Sequence, residues 1–262
     1  MDKRPIGIFD SGIGGTSIWG KIQELLPFED CIYLADSKNA PYGEKSEEII
    51  LDLSIKNTEY LLSLGCKIIV IACNTATTNA IDYLREKYKV PFIGIEPAIK
   101  PAAINSQSKI VGVLATKGTL SSSLFHSTTK NHAEGITILE QRGTGLVEII
   151  EKGKLQSDEL YRLLEAYIKP MLEKGMDYLV LGCTHYPYLI PILKKILPAD
   201  IKIIDSGQAV ARQTKTVLKK FDLLTTSTEL GTYQFYSNGD EKVLFNILQS
   251  NKLNLTVSFK DF

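Results

Sequence analysis

The chain contains the uncharged stretch Ile68-Ile69-Val70-Ile71-Ala72-Cys73-Asn74-Thr75, and the stretch Tyr178-Leu179-Val180-Leu181-Gly182-Cys183-Thr184-His185 repeats its design. Each begins with a short apolar run, whose length and composition are typical of a strand buried in a parallel sheet. Each then brings a cysteine and small polar side chains to the carboxyl end of that strand, the edge at which open α/β sheets bind ligands. The two stretches therefore predict a parallel α/β fold with one thiol at each of two ligand-binding edges.

Apolar runs alternate with amphipathic stretches along nearly the whole chain, which indicates repeated βα units. The predicted strands are 6–9, 31–34, 68–72, 92–95, 110–114, 136–139, 178–181, 201–204, 232–236 and 253–259. The predicted helices are 15–26, 46–64, 77–88, 120–130, 145–153, 158–174, 188–196, 208–221 and 241–248. This alternation predicts the α/β class.

Two motifs occur twice along the chain. The strand that ends at Cys73 recurs as the strand that ends at Cys183, and Asp10-Ser11-Gly12 recurs as Asp205-Ser206-Gly207. Two copies of one α/β design that face each other across a cleft explain both repeats. The boundary between the halves is expected near Glu96-Pro97-Ala98, and the chain is expected to cross back at the second Asp-Ser-Gly.

Composition is that of a soluble metabolic enzyme, with 262 residues, 44% of them hydrophobic, and 30 basic against 30 acidic side chains. This length suffices for one large domain or two modest ones. A net charge of zero gives no electrostatic reason to expect nucleic acid or an anionic membrane as a partner. Because no apolar run approaches the roughly 18 residues of a membrane helix or resembles a signal-peptide core, a cytoplasmic protein is expected.

The four cysteines show neither the CxxC spacing nor the Cys/His clustering that is typical of a zinc site, so no metal site is predicted. In the cytoplasm they are expected to be reduced thiols. Cys31 and Cys66 are expected to be small buried hydrophobic residues. Cys73 and Cys183 lie at strand ends among polar side chains, and this position favours proton chemistry.

The glycine-rich segment Asp10-Ser11-Gly12-Ile13-Gly14-Gly15-Thr16-Ser17 joins the first strand to the first helix. Backbone N–H groups at such a helix start suit a carboxylate or a phosphate. Gly12 and Gly14 have the first spacing of a dinucleotide fingerprint, and Asp36 ends the second strand, where such folds hold a ribose. The third glycine is replaced by Ser17 and an acid begins the turn, so a nicotinamide enzyme is a remote alternative.

Other polar residues follow the remaining strands. Thr116 follows the strand at 110–114, and Thr119 is expected either to cap the next helix or to contact a ligand. Glu148 and Glu151 lie in the short helix at 145–153. Most carboxylates on helices face water, so either acid needs a further reason to be functional.

One of the three histidines is a candidate for chemistry. His185 follows Cys183 by two residues, and an imidazole near a thiol can stabilise its anion or exchange protons with it. His126 and His132 lie on or just after a polar helix and are expected at the surface.

Taken in order, the motifs resemble those of the glutamate racemases, a family of cofactor-independent enzymes that supply D-glutamate for peptidoglycan. The motifs are Phe9-Asp10-Ser11-Gly12-Ile13-Gly14-Gly15, Pro41-Tyr42-Gly43, Ala72-Cys73-Asn74-Thr75-Ala76, Leu114-Ala115-Thr116, Gly182-Cys183-Thr184-His185-Tyr186-Pro187 and Asp205-Ser206-Gly207. Each motif alone is weak. Their order over nearly the full chain is highly specific.

The resemblance implies a fold of two similar α/β domains with mainly parallel sheets and the active site in the cleft between them. The first domain would comprise 1–97, completed by the C-terminal tail 208–262, and the second would comprise 98–207. The resemblance also implies glutamate as substrate, no cofactor, a homodimer, and a cytoplasmic role in cell-wall biogenesis and cell shape.

The resemblance further implies a mechanism with two thiols. Cys73 would act first on D-glutamate and Cys183 on L-glutamate, one as the thiolate that removes the Cα proton and the other as the thiol that returns one. Like groups suit a reaction whose two directions exchange acid and base. Because an ordinary cysteine has a pKa of about 8.5, modest stabilisation by Asn74, Thr75, Thr184 or a helix N-terminus is expected to give a thiolate near neutral pH.

Assisting residues and substrate contacts also follow from the resemblance. Asp10 and His185 correspond to assisting residues, and Glu151 aligns best with a third, although Glu148 occupies a position where the family usually has proline. Both acids therefore stay open as candidates. The expected substrate contacts are Asp10, Ser11, Pro41, Tyr42, Gly43, Cys73, Asn74, Thr75, Thr116, Thr119, Cys183, Thr184 and His185.

Several alternatives remain. Aspartate and hydantoin racemases of the same superfamily also use paired cysteines, whereas a related decarboxylase uses one. A non-catalytic two-lobed binding protein and a nicotinamide-dependent oxidoreductase come from other classes. The presence of Cys73 and Cys183 together argues against the decarboxylase, and Asp-Ser-Gly-Ile-Gly-Gly with Pro-Tyr-Gly favours glutamate as the substrate.

Overall fold

Two parallel sheets form the framework of the computed structural model, which describes residues 2–248 and 254–262. The first sheet contains β1 (Ile6–Asp10), β2 (Cys31–Ala35), β3 (Ile68–Ile71), β4 (Phe92–Ile93), β9 (Tyr233–Ser237) and β10 (Leu255–Phe259) in the order β10-β9-β2-β1-β3-β4. The second contains β5 (Ile110–Ala115), β6 (Thr137–Arg142), β7 (Tyr178–Gly182) and β8 (Lys202–Ile204) in the order β6-β5-β7-β8. Within these described ranges every strand pairing is parallel.

Helices connect the strands and cover the sheets. They are α1 (Thr16–Leu25), α2 (Glu47–Ser63), α3 (Asn74–Lys87), α4 (Ile99–Asn105), α5 (Lys117–Leu120), α6 (Ser123–His132), α7 (Leu146–Glu151), α8 (Asp158–Glu173), α9 (Ile190–Ile196), α10 (Gly207–Lys220) and α11 (Glu241–Leu248). Short 3₁₀ segments occupy Ser37–Asn39, Tyr42–Glu44 and Tyr186–Leu189. In the part of the chain that the structure describes, no helix is both long enough and apolar enough to cross a membrane.

Apolar side chains on both faces of the strands build the core. Ile68 and Val70 join one buried cluster, and Ile69 and Ile71 join another on the opposite face of the sheet. The first of these clusters continues into α7, α8 and α9 of the second half, so the two halves share apolar core. This arrangement confirms the predicted α/β class with two mainly parallel sheets.

The chain enters the second half once and returns once. The first sheet takes strands from both ends of the chain, because β9 pairs with β2 in parallel. The hydroxyl of Ser206 donates a hydrogen bond to the carbonyl oxygen of Glu96, which ties the two crossing segments together. We propose 1–97 with 208–262 as the first domain and 98–207 as the second, on the basis of which strands share each sheet.

Several helix boundaries differ from the predicted ones. Helix α3 begins at Asn74 rather than at residue 77, because the N–H of Ala76 donates to the sulfur of Cys73, which caps the helix. Threonines of low helix propensity concealed this first turn. The seven-residue helix α4 was missed, since it is too short for a clear period and contains Pro101.

The predicted helix at 120–130 is two helices. Thr116, not Thr119, caps α5 by accepting from the N–H of Thr119, and Ser122 then caps α6. The interpretation of Thr119 as the cap is therefore wrong. The predicted start of the last strand at Leu253 lies outside the described residues.

Candidate active site

The carboxyl ends of both sheets face one small cavity of about 10 Å³. It is lined by Ser11, Pro41, Tyr42, Gly43, Cys73, Asn74, Thr75, Thr116, Thr119, Val147, Gly182, Cys183, Thr184 and His185. The cavity thus brings together every expected substrate contact except Asp10, which does not line it. Val147 and Gly182 were not predicted: Val147 belongs to an apolar helix face that carries no chemical motif, and Gly182 is marked only by its neighbour Cys183.

Cys73 enters the cavity from the first half, directly after β3. Its side chain is 5% exposed, and its thiol donates to Oγ of Ser11 at 3.7 Å. The N–H of Ala76 donates to the sulfur at 3.5 Å. Burial, followed by the nearby Asp10 carboxylate, raises the pKa of the Cys73 thiol far above its ordinary value. These surroundings favour the neutral thiol of Cys73, so they oppose the thiolate that was expected near neutral pH.

Cys183 enters the same cavity from the second half, directly after β7. Its sulfur lies 3.8 Å from Nδ1 of His185. Of the donors expected to stabilise the thiolates, Thr184 instead donates to Asp10, and Thr75 is bonded to Thr116. In this structure neither hydroxyl is bonded to a sulfur, whereas the expected helix N-terminus is present at Cys73 as the Ala76 N–H.

His185 is held by Glu151. Nε2 of His185 lies 2.5 Å from Oε1 of Glu151, and the imidazole is 1% exposed. Burial alone would lower the pKa of His185, but hydrogen bonds to Cys183 and Glu151 outweigh burial and raise the pKa well above its ordinary value. Neither acid lines the cavity, but Glu151 contacts the His185 imidazole whereas Glu148 lines a neighbouring pocket, so the geometry favours Glu151 as the assisting acid.

The glycine-rich loop makes room for this pair. A methyl group at Gly12 would overlap the carboxylate of Glu151, and one at Gly14 would overlap the ring of His185. The N–H of Ile13 donates to Oε1 of Glu151 at 2.7 Å. The glycines therefore allow side chains of the second half to approach the backbone of the first.

The loop's other N–H groups bind Asp10. Oδ2 of Asp10 accepts from the N–H groups of Gly12 at 3.2 Å and Gly15 at 3.0 Å, while Oδ1 accepts from the Thr184 hydroxyl at 3.1 Å. The carboxylates that accept from these loop N–H groups are those of Asp10 and Glu151. Complete burial is the main cause that raises the pKa of Asp10 from 3.8 to about 6.

Polar side chains on the cavity wall are suited to an anionic substrate. The hydroxyls of Thr75 and Thr116 lie 2.9 Å apart across the cleft, and Thr119 lies 3.0 Å from Thr116. Among residues 2–248 and 254–262, no side chain or backbone group bonds to the amide of Asn74, which is buried. Because an unpartnered buried amide is costly, this side chain is suited to a polar ligand.

The remaining motifs lie elsewhere. The second Asp-Ser-Gly, at 205–207, binds its own backbone and Glu96 instead of lining the cavity. Cys31 and Cys66 are buried and His126 and His132 are exposed, as predicted. In the described ranges, no three His, Cys, Asp or Glu side chains are grouped to hold a metal ion.

Comparison with known proteins gives three close parallels. A glutamate racemase of Ectopseudomonas mendocina is 47% identical over 241 residues, which cover 92% of this chain and 91% of that protein. The structure of a glutamate racemase from Francisella tularensis in complex with D-glutamate is 30% identical with a TM-score of 0.83, and the match covers 98% of both chains. That of Escherichia coli glutamate racemase, in complex with L-glutamate and the activator UDP-MurNAc-Ala, is 34% identical with a TM-score of 0.84 and covers 96% of this chain and 97% of that one.

A family model described as Asp/Glu/Hydantoin racemase matches residues 15–214. The matched segment contains both cysteines, the Thr116 region and the His185–Glu151 pair. Since the match spans most of a chain whose two parallel sheets each bring one thiol to a common cavity, the chain belongs to the Asp/Glu/Hydantoin racemase family.

Proposed function

We propose that this chain interconverts L-glutamate and D-glutamate without a cofactor. The observation that carries the proposal is the common cavity, to which the first half contributes Cys73 and the second half Cys183. The choice of glutamate is supported by the relatives, because the proteins of Ectopseudomonas mendocina and Escherichia coli that match almost the full chain are glutamate racemases.

Proton transfer would run between the two sulfurs through the substrate. One thiolate forms an S–H bond as the Cα–H bond breaks, and the electron pair stays on Cα, delocalised into the α-carboxylate. The other thiol donates its proton to the opposite face and becomes the thiolate, so the configuration inverts with no net gain of electrons or protons. Cys73 would begin the reaction of D-glutamate and Cys183 that of L-glutamate.

The surroundings of the two thiols suggest that different groups assist the ionisation of each. Cys183 has the imidazole of His185 within 3.8 Å, and Glu151 favours the charged form of that imidazole. Cys73 faces burial and the negative charge of Asp10, both of which oppose its ionisation. The ammonium group of bound glutamate would supply the compensating positive charge at Cys73.

Hydroxyl and amide groups would hold the substrate. The cavity offers the Asn74 amide, the hydroxyls of Ser11, Thr75, Thr116, Thr119 and Thr184, and the backbone of the loop 41–43. Such groups bind carboxylates and an ammonium group without competing as bases for the Cα proton. The hydroxyl of Tyr42 donates to Asp36 at 2.5 Å, so this residue would contribute through its backbone.

Circular dichroism of glutamate solutions tests the proposed activity. The purified chain should bring L-glutamate and D-glutamate to zero ellipticity without added cofactor, and it should leave L-aspartate much less changed. Faster racemisation of aspartate would support the alternative racemase. Binding of glutamate without turnover would support a binding protein, and a requirement for nicotinamide would support an oxidoreductase.

The cellular setting forms a second part of the proposal. By resemblance, the chain would act in the cytoplasm as a homodimer and supply D-glutamate for peptidoglycan. Sedimentation equilibrium should give twice the chain mass of 29.1 kDa. Expression of the chain should relieve the D-glutamate requirement of a bacterium that cannot make this amino acid, and failure to do so with active protein present would remove the cellular role.

A further inference from the structure

Ser37 contacts the assisting acid from the opposite half of the molecule. It begins the 3₁₀ segment after β2, and its hydroxyl donates to Oε2 of Glu151 at 2.9 Å. Glu151 ends α7 in the second half. Ser37 does not line the cavity that holds the two cysteines, so it has no place among the substrate contacts.

The carboxylate of Glu151 has three hydrogen-bond partners. Oε1 accepts from the N–H of Ile13 at 2.7 Å and lies 2.5 Å from Nε2 of His185, while Oε2 accepts from Ser37. The terminal torsion of a glutamate side chain is soft, so one fixed oxygen alone does not orient the group. The hydrogen bond from the Ser37 hydroxyl to Oε2 fixes the orientation of the Glu151 carboxylate, and this orientation directs Oε1 towards the imidazole of His185.

The segment that carries Ser37 is itself fixed by the C-terminal tail. The N–H of Lys38 donates to Oδ1 of Asn238 at 3.0 Å, and the amide of Asn238 donates to Asp36 at 2.5 Å. Asn39 donates to the same carboxylate of Asp36 at 2.8 Å. The residues on both sides of Ser37 are therefore bonded, and its hydroxyl is held in place before substrate binds.

We propose that Ser37 is a positioning residue that acts through Glu151 and His185 on proton transfer at Cys183, and not on proton transfer at Cys73. This inference rests on the proposed racemase function. Its geometric basis is the hydrogen-bonded series from Ser37 to Glu151, to His185 and to the sulfur of Cys183. The contacts of Cys73, with Ser11 and the Ala76 N–H, include no member of this series.

Kinetic isotope effects distinguish the two thiols. Ser37→Ala should lower kcat by about tenfold, the effect of losing one hydrogen bond to a charged group, with KM for glutamate within twofold of wild type. Because Cys183 removes the Cα hydrogen of L-glutamate, the deuterium effect on kcat/KM should rise with L-[2-²H]glutamate. It should fall with D-[2-²H]glutamate, whose deuteron is removed by Cys73. Ser37→Thr keeps the hydroxyl and should restore both values.

The matched control is Lys38→Ala, because the side chain of Lys38 is exposed and its Nζ lies 3.8 Å from Asp261. It should leave kcat and both isotope effects unchanged. Wild-type kcat in Ser37→Ala, isotope effects that change equally for both enantiomers, or the same loss in Lys38→Ala would overturn the role of Ser37 while the racemase assignment stands. A wild-type protein that does not racemise glutamate would overturn both proposals.

Discussion

Burial disfavours the charged form of an ionisable side chain, so it shifts the pKa of an acid upward and that of a histidine downward. It raises the pKa of Asp10 and of Cys73, because both lose water around their charged forms. At His185 burial opposes the charged form too, but the neighbouring Glu151 and Cys183 prevail and raise the pKa. The site therefore favours a neutral thiol at one cysteine and an imidazolium beside the other.

Replacement of either cysteine should separate binding from turnover. Cys73→Ser and Cys183→Ser should each lower kcat for racemisation by roughly 10³-fold or more, because a serine hydroxyl is a far weaker acid than a thiol. Binding of glutamate, measured by calorimetry, should change little. The control is Cys66→Ser, which alters a buried thiol away from the cavity and should leave kcat unchanged in the folded protein. Near-normal turnover by either active-site variant would contradict the two-thiol mechanism.

Asp10 should make stability fall with rising pH. Its pKa is about 6 in the folded chain and near its ordinary value of 3.8 in the unfolded chain, so the folded state binds the proton more tightly. The favourable contribution is complete below about pH 4 and is lost as pH rises through about 6. The difference corresponds to roughly 3 kcal/mol at most.

Chemical denaturation of the wild type and Asp10→Asn across this pH range measures that loss. The variant has no carboxyl to ionise, so its free energy of unfolding should rise relative to wild type between about pH 4 and pH 7, by up to roughly 3 kcal/mol. A constant difference across the range would show that Asp10 titrates normally in the folded protein.

At the scale of elements, the loop after β1 and the start of α3 bring side chains into position. The strands could be predicted, since the apolar runs at 68–71 and 178–181 are longer and more uniform than anything near them. The start of α3 could not, because a cysteine cap followed by threonines resembles a loop. The partners of Glu151 could not either: Ile13 and Ser37 lie 138 and 114 residues away in sequence, and no local pattern encodes such contacts.

A methyl group in the loop should disturb His185. Gly14→Ala would push the imidazole from its place, since the new Cβ overlaps Nδ1, the atom that faces Cys183. A displacement of this kind should lower kcat on the order of 100-fold while the protein stays folded. Gly20→Ala is the control, because beyond its chain neighbours and its own helix backbone no atom lies within 4 Å of the added methyl on α1. This variant should be as active as wild type and as stable or more so. Full activity in Gly14→Ala would show that the close approach of loop and histidine is dispensable.

The whole molecule depends on how its two halves meet. The hydroxyls of Thr75 and Thr116 and the contacts of Glu151 with Ile13 and Ser37 all cross the cleft. The proposed mechanism requires both halves, because each would supply one sulfur. The sequence indicated two halves through its repeated strand, but the bonds between them became apparent only in the folded chain.

The charges of one ion pair at the rim of the cleft can be exchanged by mutation. Nη2 of Arg142, at the end of β6, lies 2.6 and 2.7 Å from the two carboxylate oxygens of Glu44, next to the loop 41–43 that lines the cavity. Both side chains are partly exposed, so the pair contributes at most about 1 kcal/mol. Glu44→Arg and Arg142→Glu should each raise KM about fivefold, and the effect should shrink in high salt.

The double reversal at these two positions should bring KM back to within about twofold of wild type, since it restores the opposite charges. Glu24→Arg changes an exposed pair on α1 that does not line the cavity, and it should leave KM unchanged. Equal KM values in wild type, the two single variants and the double reversal would show that the rim pair does not influence substrate binding.

The two-thiol reaction is tested most directly by the hydrogen that reaches the product. Wild-type protein is mixed with L-glutamate in D₂O, and the Cα positions of both enantiomers are followed by proton NMR during the first few per cent of conversion. If separate sulfurs serve the two faces, the new D-glutamate carries deuterium from solvent while the remaining L-glutamate keeps its protium, and the reverse holds when D-glutamate is supplied. Product that retains the hydrogen of the substrate would mean that a single group serves both faces, and the account given for Cys73 and Cys183 would be wrong.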